Sequence, residues 1–366
     1  MVLNIWNVLT RLLVATLMSV LRFRSPIPAE KKRHQSYRNI LKQILVAIRN
    51  RQLNEFRWVP VGANERNGLF CAKLRQIPPV RNQNTPLNSL TLKAFAKINL
   101  GLHVLQKRDD GYHDLETVFL KVGWHDSLTF FPSNSIDMTS SDPELRSDGG
   151  NLCIQAARAL ALAADCNEGV RMNLDKRLPF GAGLGGGSSD AAVTLQACKT
   201  LWQVDIDLIP LAEDLGSDVA FFLGEPIAFG EGRGERLSSL STPIALLNTH
   251  LLIVVPNVAV STVDAYGSIS PRMGATDLHT LVSSGSLEDW RSELINHFEE
   301  SVFPAFPEVA SLKSMVYGNG AAYAAMSGSG SAIFGIFTSS TDAERALEKI
   351  QEQHPSYRGW TGPAIT

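Results

Sequence analysis

Residues 178–192, LPFGAGLGGGSSDAA, form a glycine-rich loop that runs directly into a helical pattern, and few folds accommodate that combination. Five glycines within seven residues leave a backbone without Cβ atoms, which can approach an anion and present several N–H groups to it. The helix that follows adds the unpaired amides and positive dipole end of its first turn. Ser188 and Ser189 are suitable N-cap residues for that helix. The sequence therefore predicts a phosphate-binding loop at a helix N-terminus.

The better-known classes of phosphate loop do not fit this segment. Gly181, Gly183 and Gly186 satisfy GxGxxG, but a dinucleotide-binding unit needs a second hydrophobic strand ending in an acid after the helix. The segment at 203–216, QVDIDLIPLAEDLG, has a helical pattern instead. A Walker A loop needs a Gly-Lys-Ser/Thr end, and protein kinases carry VAIK, HRD and DFG segments. The sequence contains none of these.

A hairpin is predicted ahead of the loop. Apolar residues at every second position over 92–104 indicate a half-buried strand, and Lys97 and Asn99 project together from its other face. The segment KRDDG at 107–111 predicts a turn. A second strand then begins with Tyr112 and His113.

Further helical and strand patterns follow the hairpin. By residue type alone, Lys97 fits a solvated strand face and Asp218 fits a helix N-cap. The main elements expected are a helix over 152–165, a strand over 170–174, a short helix ended by Gly216, a glycine-rich turn at 229–235, a buried strand at 253–255 and a second glycine-serine loop over 326–334.

Together these segments resemble the GHMP small-molecule kinases, whose central motif is a PxxxGLGGGSS loop followed by a helix. The resemblance covers about three quarters of the chain, from about residue 90 to near the C-terminus, and leaves the N-terminal part outside. It implies a two-lobed α+β fold with an ATP-binding domain over 89–245, a C-terminal domain over 246–366 and an extension over 1–88. The further motifs that carry it are AKINLGLHV (96–104), RDDGYHDL (108–115), GSDVAFF (216–222) and SGSGSAIF (327–334).

The resemblance also implies roles for individual residues. Asp218 would be the general base and Lys97 its partner. Asn99, Tyr112 and His113 would line a cytidine pocket, with Tyr266 as an aromatic ring against the cytosine. The loop ends SSDAA where some relatives have SSNAA, a change confined to the first helical turn. The residues implied to wrap the ATP phosphates are Pro179, Phe180, Gly181, Ala182, Gly183, Leu184, Gly185, Gly186, Gly187, Ser188 and Ser189.

The implied activity is ATP-dependent phosphorylation of the 2-hydroxyl of a cytidine-diphosphate-linked methylerythritol, in the non-mevalonate route to isoprenoids. Mg²⁺ would accompany ATP near Ser188 or Ser189, without a metal site made of protein ligands alone. Two alternatives are another GHMP kinase, acting on homoserine, mevalonate or a sugar, and a catalytically silent nucleotide-binding module. The expected partner is a small molecule, with no nucleic acid and no stable membrane insertion.

The first ninety residues differ from the rest in charge. They contain fifteen Lys and Arg residues against three acids, whereas the remainder carries a net charge of −14. The apolar segment 2–21 has Arg11 at its centre, which argues against a stable membrane-spanning helix. A transit peptide, upstream translated sequence and a basic arm all stay open for this part. Four cysteines without a CxxC or Cys/His cluster argue against a disulfide framework and a structural zinc site, so we expect a cytoplasmic protein, or a plastid-type organelle if 1–88 is a transit peptide.

Overall fold

A computed structural model describes residues 56–61, 71–76, 89–267, 269–272 and 276–365. The chain folds as two units, Met1–Asn84 and Thr85–Thr366. In the first unit, strands β1 (Phe56–Val61) and β2 (Cys71–Gln76) pair antiparallel. The apolar segment 2–21 lies outside the described residues.

The second unit contains a six-stranded sheet built around a long hairpin. Its strands are β3 (Leu90–Lys107), β4 (His113–Ser133), β5 (Ile136–Ser140), β6 (Gly169–Asp175), β7 (Ile227–Glu231) and β8 (Arg236–Ser239). Strand β4 pairs with β3, β6 and β7, all antiparallel, while β5 pairs parallel with β6 and β8 pairs antiparallel with β7.

Four helices belong to this part of the unit, and their apolar side chains share a core with the sheet. That core includes Phe130, Met172, Leu195 and Phe221, all almost fully buried. The helices are α1 (Leu152–Ala163), α2 (Gly186–Leu201), α3 (Ile209–Leu215) and α4 (Val219–Leu223).

A second sheet of four antiparallel strands follows, in the order β10-β11-β9-β12. Its strands are β9 (His250–Val255), β10 (Tyr323–Met326), β11 (Ile333–Phe337) and β12 (Arg358–Gly362). A short 3₁₀ turn covers Ile244–Leu246. The helices are α5 (Thr262–Gly267), α6 (Leu278–Ser284), α7 (Leu287–Glu293), α8 (Glu299–Ala305), α9 (Pro307–Gly318) and α10 (Ser340–Gln353).

The two sheets are joined by a common core. Ile98 and Leu100 of β3 belong to the same buried cluster as Leu251 and Ile253 of β9. Because burial of this apolar surface stabilises the contact between the sheets, loops from both parts are held at a fixed distance from each other. The polar face of β3 and the two glycine-rich loops meet at this junction.

The predicted hairpin, the α+β class and the main helices are confirmed, and one local expectation is wrong. Helix α2 begins at Gly186 with Gly185 as its N-cap, so neither Ser188 nor Ser189 caps it. Lys97 is only 4% exposed, so the solvated face that its residue type alone would suggest does not apply. The domain division at residues 245 and 246 stays a prediction, in a stretch between the end of β8 and the start of β9.

None of the described helices is both long and apolar enough to cross a membrane.

Candidate active site

The glycine-rich loop is fixed through its carbonyl groups. Gly181, Gly183 and Gly185 all have positive φ, between 61° and 75°. Every second residue of this stretch therefore adopts a left-handed backbone conformation, which residues with a Cβ rarely adopt. The Ala182 carbonyl accepts the amide of Ala332 at 3.1 Å, the Gly183 carbonyl accepts the Ser327 hydroxyl at 2.9 Å, and the Leu184 carbonyl accepts the amide of Lys97 at 2.9 Å. The oxygen side of the loop is therefore occupied by protein groups.

The amide side of the loop leads into the open end of α2. Gly185 occupies the N-cap position and makes no side-chain cap bond, so the first amides of the helix lack a capping acceptor. Ser188 is half-buried, whereas Ser189 is only 1% exposed. This geometry suits an anion at the helix end, with Ser188 as the accessible hydroxyl.

Lys97 and Asp218 form an ion pair beside this loop. The Lys97 Nζ atom lies 3.4 Å from Asp218 Oδ2, and the side chains are 5% and 30% exposed. Asp218 stands in the N-cap position of α4 but makes no capping bond, so its carboxylate is available to the pair. The ammonium group also lies 5.5 Å from the centre of the Phe119 ring.

A chain of buried hydrogen bonds fixes the orientation of Lys97. The Thr117 hydroxyl donates to the Gly101 carbonyl at 2.7 Å, and the Asn99 amide donates to the Thr117 oxygen at 2.9 Å. The Asn99 carbonyl oxygen in turn accepts Lys97 Nζ at 2.7 Å. Because Asn99 donates to Thr117 and accepts from Lys97, only one of the two orientations of its side-chain amide satisfies both hydrogen bonds. Sequence reasoning missed Thr117, which lies on the neighbouring strand.

Helix α4, which follows Asp218, is anchored at its other end. Lys121 Nζ donates to the carbonyls of Phe222 at 3.2 Å and Gly224 at 2.7 Å, which stabilises the C-terminal turn of the helix. Burial lowers the pKa of Lys121. Two strands of one hairpin therefore position both members of the Lys97–Asp218 pair.

The second glycine-serine loop stands against the same pair. The Asn296 side chain, almost fully buried, donates to the carbonyls of Met326 and Gly328, both at 2.8 Å. A Cβ on Gly328 would lie 3.4 Å from Lys97 Nζ and 3.3 Å from Asn99 Oδ1. The loop therefore forms a wall of the site, and the Asn296 side chain fixes the position of that loop. No pattern in the sequence singles out Asn296.

The aromatic residues expected at the cytidine pocket fall into two groups. The Tyr112 ring is 56% exposed, and the Arg233 guanidinium lies 4.9 Å from its centre. His113 and Tyr266 instead stack on each other, with centroids 4.7 Å apart, and Tyr266 packs edge-on against Phe298. Burial, with a smaller contribution from the Asp218 charge, raises the pKa of Tyr266 to about 12. A base reaches this face of Tyr266 only if the His113 ring moves.

A cavity of about 310 Å³ brings together the glycine loop, the Lys97–Asp218 pair and Tyr266, whereas Tyr112 and His113 are not part of its lining. A second cavity, of about 370 Å³, is lined by Asp114, Glu116 and Glu231 and contains neither the glycine loop nor the ion pair. We therefore place the candidate active site in the first. Its polar and aromatic lining comprises Lys97, Asn99, Thr117, Phe119, Ser217, Asp218, Arg233, Thr262, Tyr266, Phe298 and Ser329, with Gly181, Gly183, Gly185 and Gly328 from the two loops.

Comparison with known proteins gives concordant matches. Residues 151–225 match the family described as GHMP kinases N terminal domain, and residues 277–356 match GHMP kinases C terminal. A curated 4-diphosphocytidyl-2-C-methyl-D-erythritol kinase of Chlorobium luteolum is 44% identical over 277 residues, which cover 73% of this chain and 96% of the relative.

Solved structures show the same fold. A crystal structure of 4-(cytidine 5'-diphospho)-2C-methyl-D-erythritol kinase is 35% identical, with a TM-score of 0.65 over 76% of this chain and 100% of the other. Homoserine kinase from Cytophaga hutchinsonii has a TM-score of 0.57 over 76% of this chain and 95% of its own, at 18% identity, and so shares the fold alone.

Proposed function

Since the chain belongs to the 4-diphosphocytidyl-2-C-methyl-D-erythritol kinase family of GHMP kinases, we propose that it transfers the γ-phosphoryl group of ATP to the 2-hydroxyl of 4-diphosphocytidyl-2-C-methyl-D-erythritol. The products are the 2-phosphate and ADP, and the reaction belongs to the non-mevalonate route to isoprenoids. The observation that carries the proposal is the Lys97–Asp218 pair, 3.4 Å apart, in one cavity with the glycine loop.

The proposed role of Asp218 is to accept the proton of the substrate alcohol. That alcohol is tertiary and a poor nucleophile, so removal of its proton as the new O–P bond forms lowers the barrier. The carboxylate is 30% exposed and free of capping bonds, which leaves it accessible to a hydroxyl group. The proton passes from the substrate oxygen to an Asp218 carboxylate oxygen.

The proposed role of Lys97 is to stabilise charge on the transferring phosphoryl group. Phosphoryl transfer depends on positioning and electrostatic stabilisation, and a buried ammonium fixed by Asn99 provides both. Because Thr117 orients Asn99, the ammonium needs little reorganisation during the reaction.

The loop from Pro179 to Ser189 is proposed to bind the ATP phosphates through its amides. Its carbonyls are already engaged, and the first turn of α2 supplies further unpaired donors. Mg²⁺ would enter with ATP and would supply positive charge that stabilises the transferring phosphoryl group. The half-buried Ser188 hydroxyl is the loop oxygen suited to hold it, since Ser189 is buried.

The cytidine group is proposed to lie at the corner formed by Tyr112 and His113, with Asn99 in the lining of the adjoining cavity. Tyr112 offers an exposed ring for stacking. Tyr266 joins this pocket after its stack with His113 opens. For the compartment, we propose the cytoplasm, in which the three free cysteines of the described part of the chain remain reduced.

Product analysis tests this proposal. Incubation of the purified chain with ATP, Mg²⁺ and 4-diphosphocytidyl-2-C-methyl-D-erythritol should give ADP and a new monophosphate ester in equal amounts. Phosphorus NMR should place that ester on the tertiary 2-position. ADP release without a phosphorylated product, or ATP binding without turnover, would overturn the proposal and favour a nucleotide-binding module.

A further inference from the structure

Arg233 is a cation at the site to which the proposed reaction assigns no role. It lies in the turn between β7 and β8, with its guanidinium 4.9 Å from the centre of the Tyr112 ring. The same side chain lines the cavity that contains Lys97 and Asp218. Arg233 therefore connects the proposed base-binding corner with the proposed phosphoryl-transfer centre.

The charge of Arg233 is not compensated within the described part of the chain. The other charged residues lining the cavity, Lys97 and Asp218, pair with each other at 3.4 Å. Glu235, in the same turn, accepts the backbone amide of Arg233 at 2.6 Å and forms no ion pair with its guanidinium. By contrast, Arg108 at the same corner pairs with two carboxylates. A cation without a counter-charge in a cavity wall favours an anionic ligand.

The turn that carries Arg233 is held in place by backbone contacts. The amide of Leu115 donates to the Gly232 carbonyl at 2.7 Å, and the amide of Gly234 donates to the Glu231 carbonyl at 3.0 Å. Gly232 and Gly234 have φ values of 70° and 100°, which the tight turn requires. The Arg233 side chain thus extends from a fixed backbone and loses less freedom when it binds a ligand.

The Arg233 guanidinium lies over the Tyr112 ring, and a cation–π contact of this kind leaves its N–H donors for a second partner. Those donors match the spacing of two phosphate oxygens, which they bind in pairs. Arg233 therefore offers paired donors for phosphate oxygens beside a ring suited to a nucleobase.

We propose that Arg233 binds the diphosphate of the acceptor substrate and so selects a cytidine diphosphate conjugate over an alcohol that lacks it. This inference rests on the proposed function, in which the base lies at Tyr112 and the alcohol at Asp218. The diphosphate links base and alcohol, and Arg233 is the side chain that contacts the first and lines the cavity of the second. The ATP phosphates have their own wall, formed by Gly181, Gly183 and Gly185.

A binding experiment on the full chain tests this without any turnover. With the glycine loop filled by a non-hydrolysable ATP analogue, calorimetry compares the affinities of cytidine diphosphate and cytidine. The wild type should bind the diphosphate at least about tenfold more tightly, as expected for a charge-assisted contact. In R233Q this preference should fall to about twofold or less, and in R233K it should be intermediate. The control R236Q removes an exposed arginine three residues later, which lines the other cavity, and should retain the preference.

Steady-state kinetics separates this inference from the proposed function. R233Q should raise KM for the diphosphate conjugate about 10- to 100-fold while KM for ATP stays within about threefold. Suppose that the wild type phosphorylates the conjugate and that R233Q has the same KM and the same preference for cytidine diphosphate as the wild type. The role proposed for Arg233 is then wrong, and the proposed function stands. If the wild type shows the preference and R233Q loses it, but the conjugate is not phosphorylated, the diphosphate site stands and the proposed function is wrong. An equal rise in both KM values would assign Arg233 to the ATP phosphates instead.

Discussion

Asp218 occupies a helix N-cap position and yet pairs with a lysine from another element. An N-cap aspartate ordinarily accepts amides of its own helix, which would direct its carboxylate away from a substrate. Here the α4 helix has only five residues and makes no such bond, so the carboxylate reaches Lys97 at 3.4 Å. The Asp218 carboxylate therefore binds Lys97 instead of capping the helix that follows it.

We expect D218N to lower kcat by about 10²- to 10⁴-fold, the contribution of a positioned general base, while ATP affinity changes little. The amide retains the shape of the side chain but cannot accept the proton in the same way. The matched control is D214N, which makes the same substitution at an exposed position of α3. Steady-state kinetics with both substrates measures the effect, and a D218N enzyme within about threefold of the wild-type kcat would remove Asp218 from this role.

Single residues differ in how far the sequence indicates them. Lys97 and Asn99 were identifiable because strand periodicity puts them on one face beside a recognisable motif. Thr117 was not, because its contact with Asn99 depends on the register between β3 and β4, which includes irregularities near Leu100 that no pattern in the sequence reveals. Arg233 was missed for a related reason, since its proximity to Tyr112 arises from a pairing of distant strands.

Among the elements of the fold, the glycine loop combines a proposed phosphate-binding surface with close packing against the rest of the protein. Its glycines suit the close approach of a phosphate group to the backbone. The structure gives Gly185 another constraint, because a Cβ there would lie 2.9 Å from the Phe222 ring and 3.1 Å from Lys97 Cγ. Gly183 is similarly constrained, because a Cβ there would overlap the Ser327 carbonyl oxygen. Such packing across the chain is invisible in a local sequence pattern.

Gly187 provides the cleaner test of phosphate binding by this loop. A Cβ at Gly187 would have its nearest neighbour, Leu152 Cδ1, at 3.8 Å, and the residue is exposed in the first turn of α2. We expect G187V to raise KM for ATP about tenfold or more, since the branched side chain stands where phosphate oxygens approach the amides. The melting temperature without nucleotide should move by no more than about 2 °C, because valine is not worse than glycine in a helix. In G185V, by contrast, we expect both ATP affinity and stability to fall, because the new side chain would also meet Phe222 and Lys97. Unchanged ATP affinity in G187V would place the phosphates elsewhere.

The start of α2 is also joined to β6 by a buried charge cluster. Lys176 Nζ lies 2.5 Å from Asp126 Oδ2 and 3.0 Å from Asp190 Oδ2, while the other oxygen of Asp190 has no hydrogen-bond partner among the described residues. Burial raises the pKa of Asp190 to about 7, and the Asp126 charge adds to that shift while Lys176 opposes it. The buried thiol of Cys153 faces the same cluster.

This cluster predicts a pH dependence of stability. Because the folded-state pKa of Asp190 is raised, the folded state binds more protons than the unfolded state between about pH 4 and pH 7, and stability falls as pH rises through that window. D190N carries an amide in place of the protonated carboxyl and should lack this dependence. The melting temperature of D190N relative to the wild type should therefore rise between pH 5 and pH 8, by about 2–4 °C for each kcal/mol involved. A difference that is constant with pH would show that Asp190 does not titrate there.

At the scale of the whole molecule, the kinase fold is contained in part of the chain. Nearly the full length of the Chlorobium luteolum relative, 96%, is matched by 73% of this chain. The two family matches lie within 151–356, and the second structural unit begins at Thr85. The sequence indicated such a division through its charge, but it left open what the basic N-terminal part does.

A chain that begins at Asn88 should therefore fold and retain its specific activity. Its melting temperature should lie within about 2 °C of the full chain, because the cores described above use residues from Leu90 onward. Scanning calorimetry and kinetics on both chains provide the comparison. A truncated chain that aggregates, or loses most of its activity, would show that the first 87 residues contribute to the folded kinase.

The choice of acceptor alcohol tests the proposed function and the proposed substrate site together. In a coupled ADP-release assay, the full chain is offered 4-diphosphocytidyl-2-C-methyl-D-erythritol, methylerythritol phosphate, homoserine and mevalonate at equal concentrations. A site that pairs buried polar groups with a specific base and diphosphate penalises substrates that leave those groups unpaired. We predict a kcat/KM for the cytidine diphosphate conjugate at least about 10³-fold above that for each of the other three, within the range that such recognition reaches. Comparable kcat/KM for homoserine or mevalonate would contradict the proposed specificity for the cytidine diphosphate conjugate.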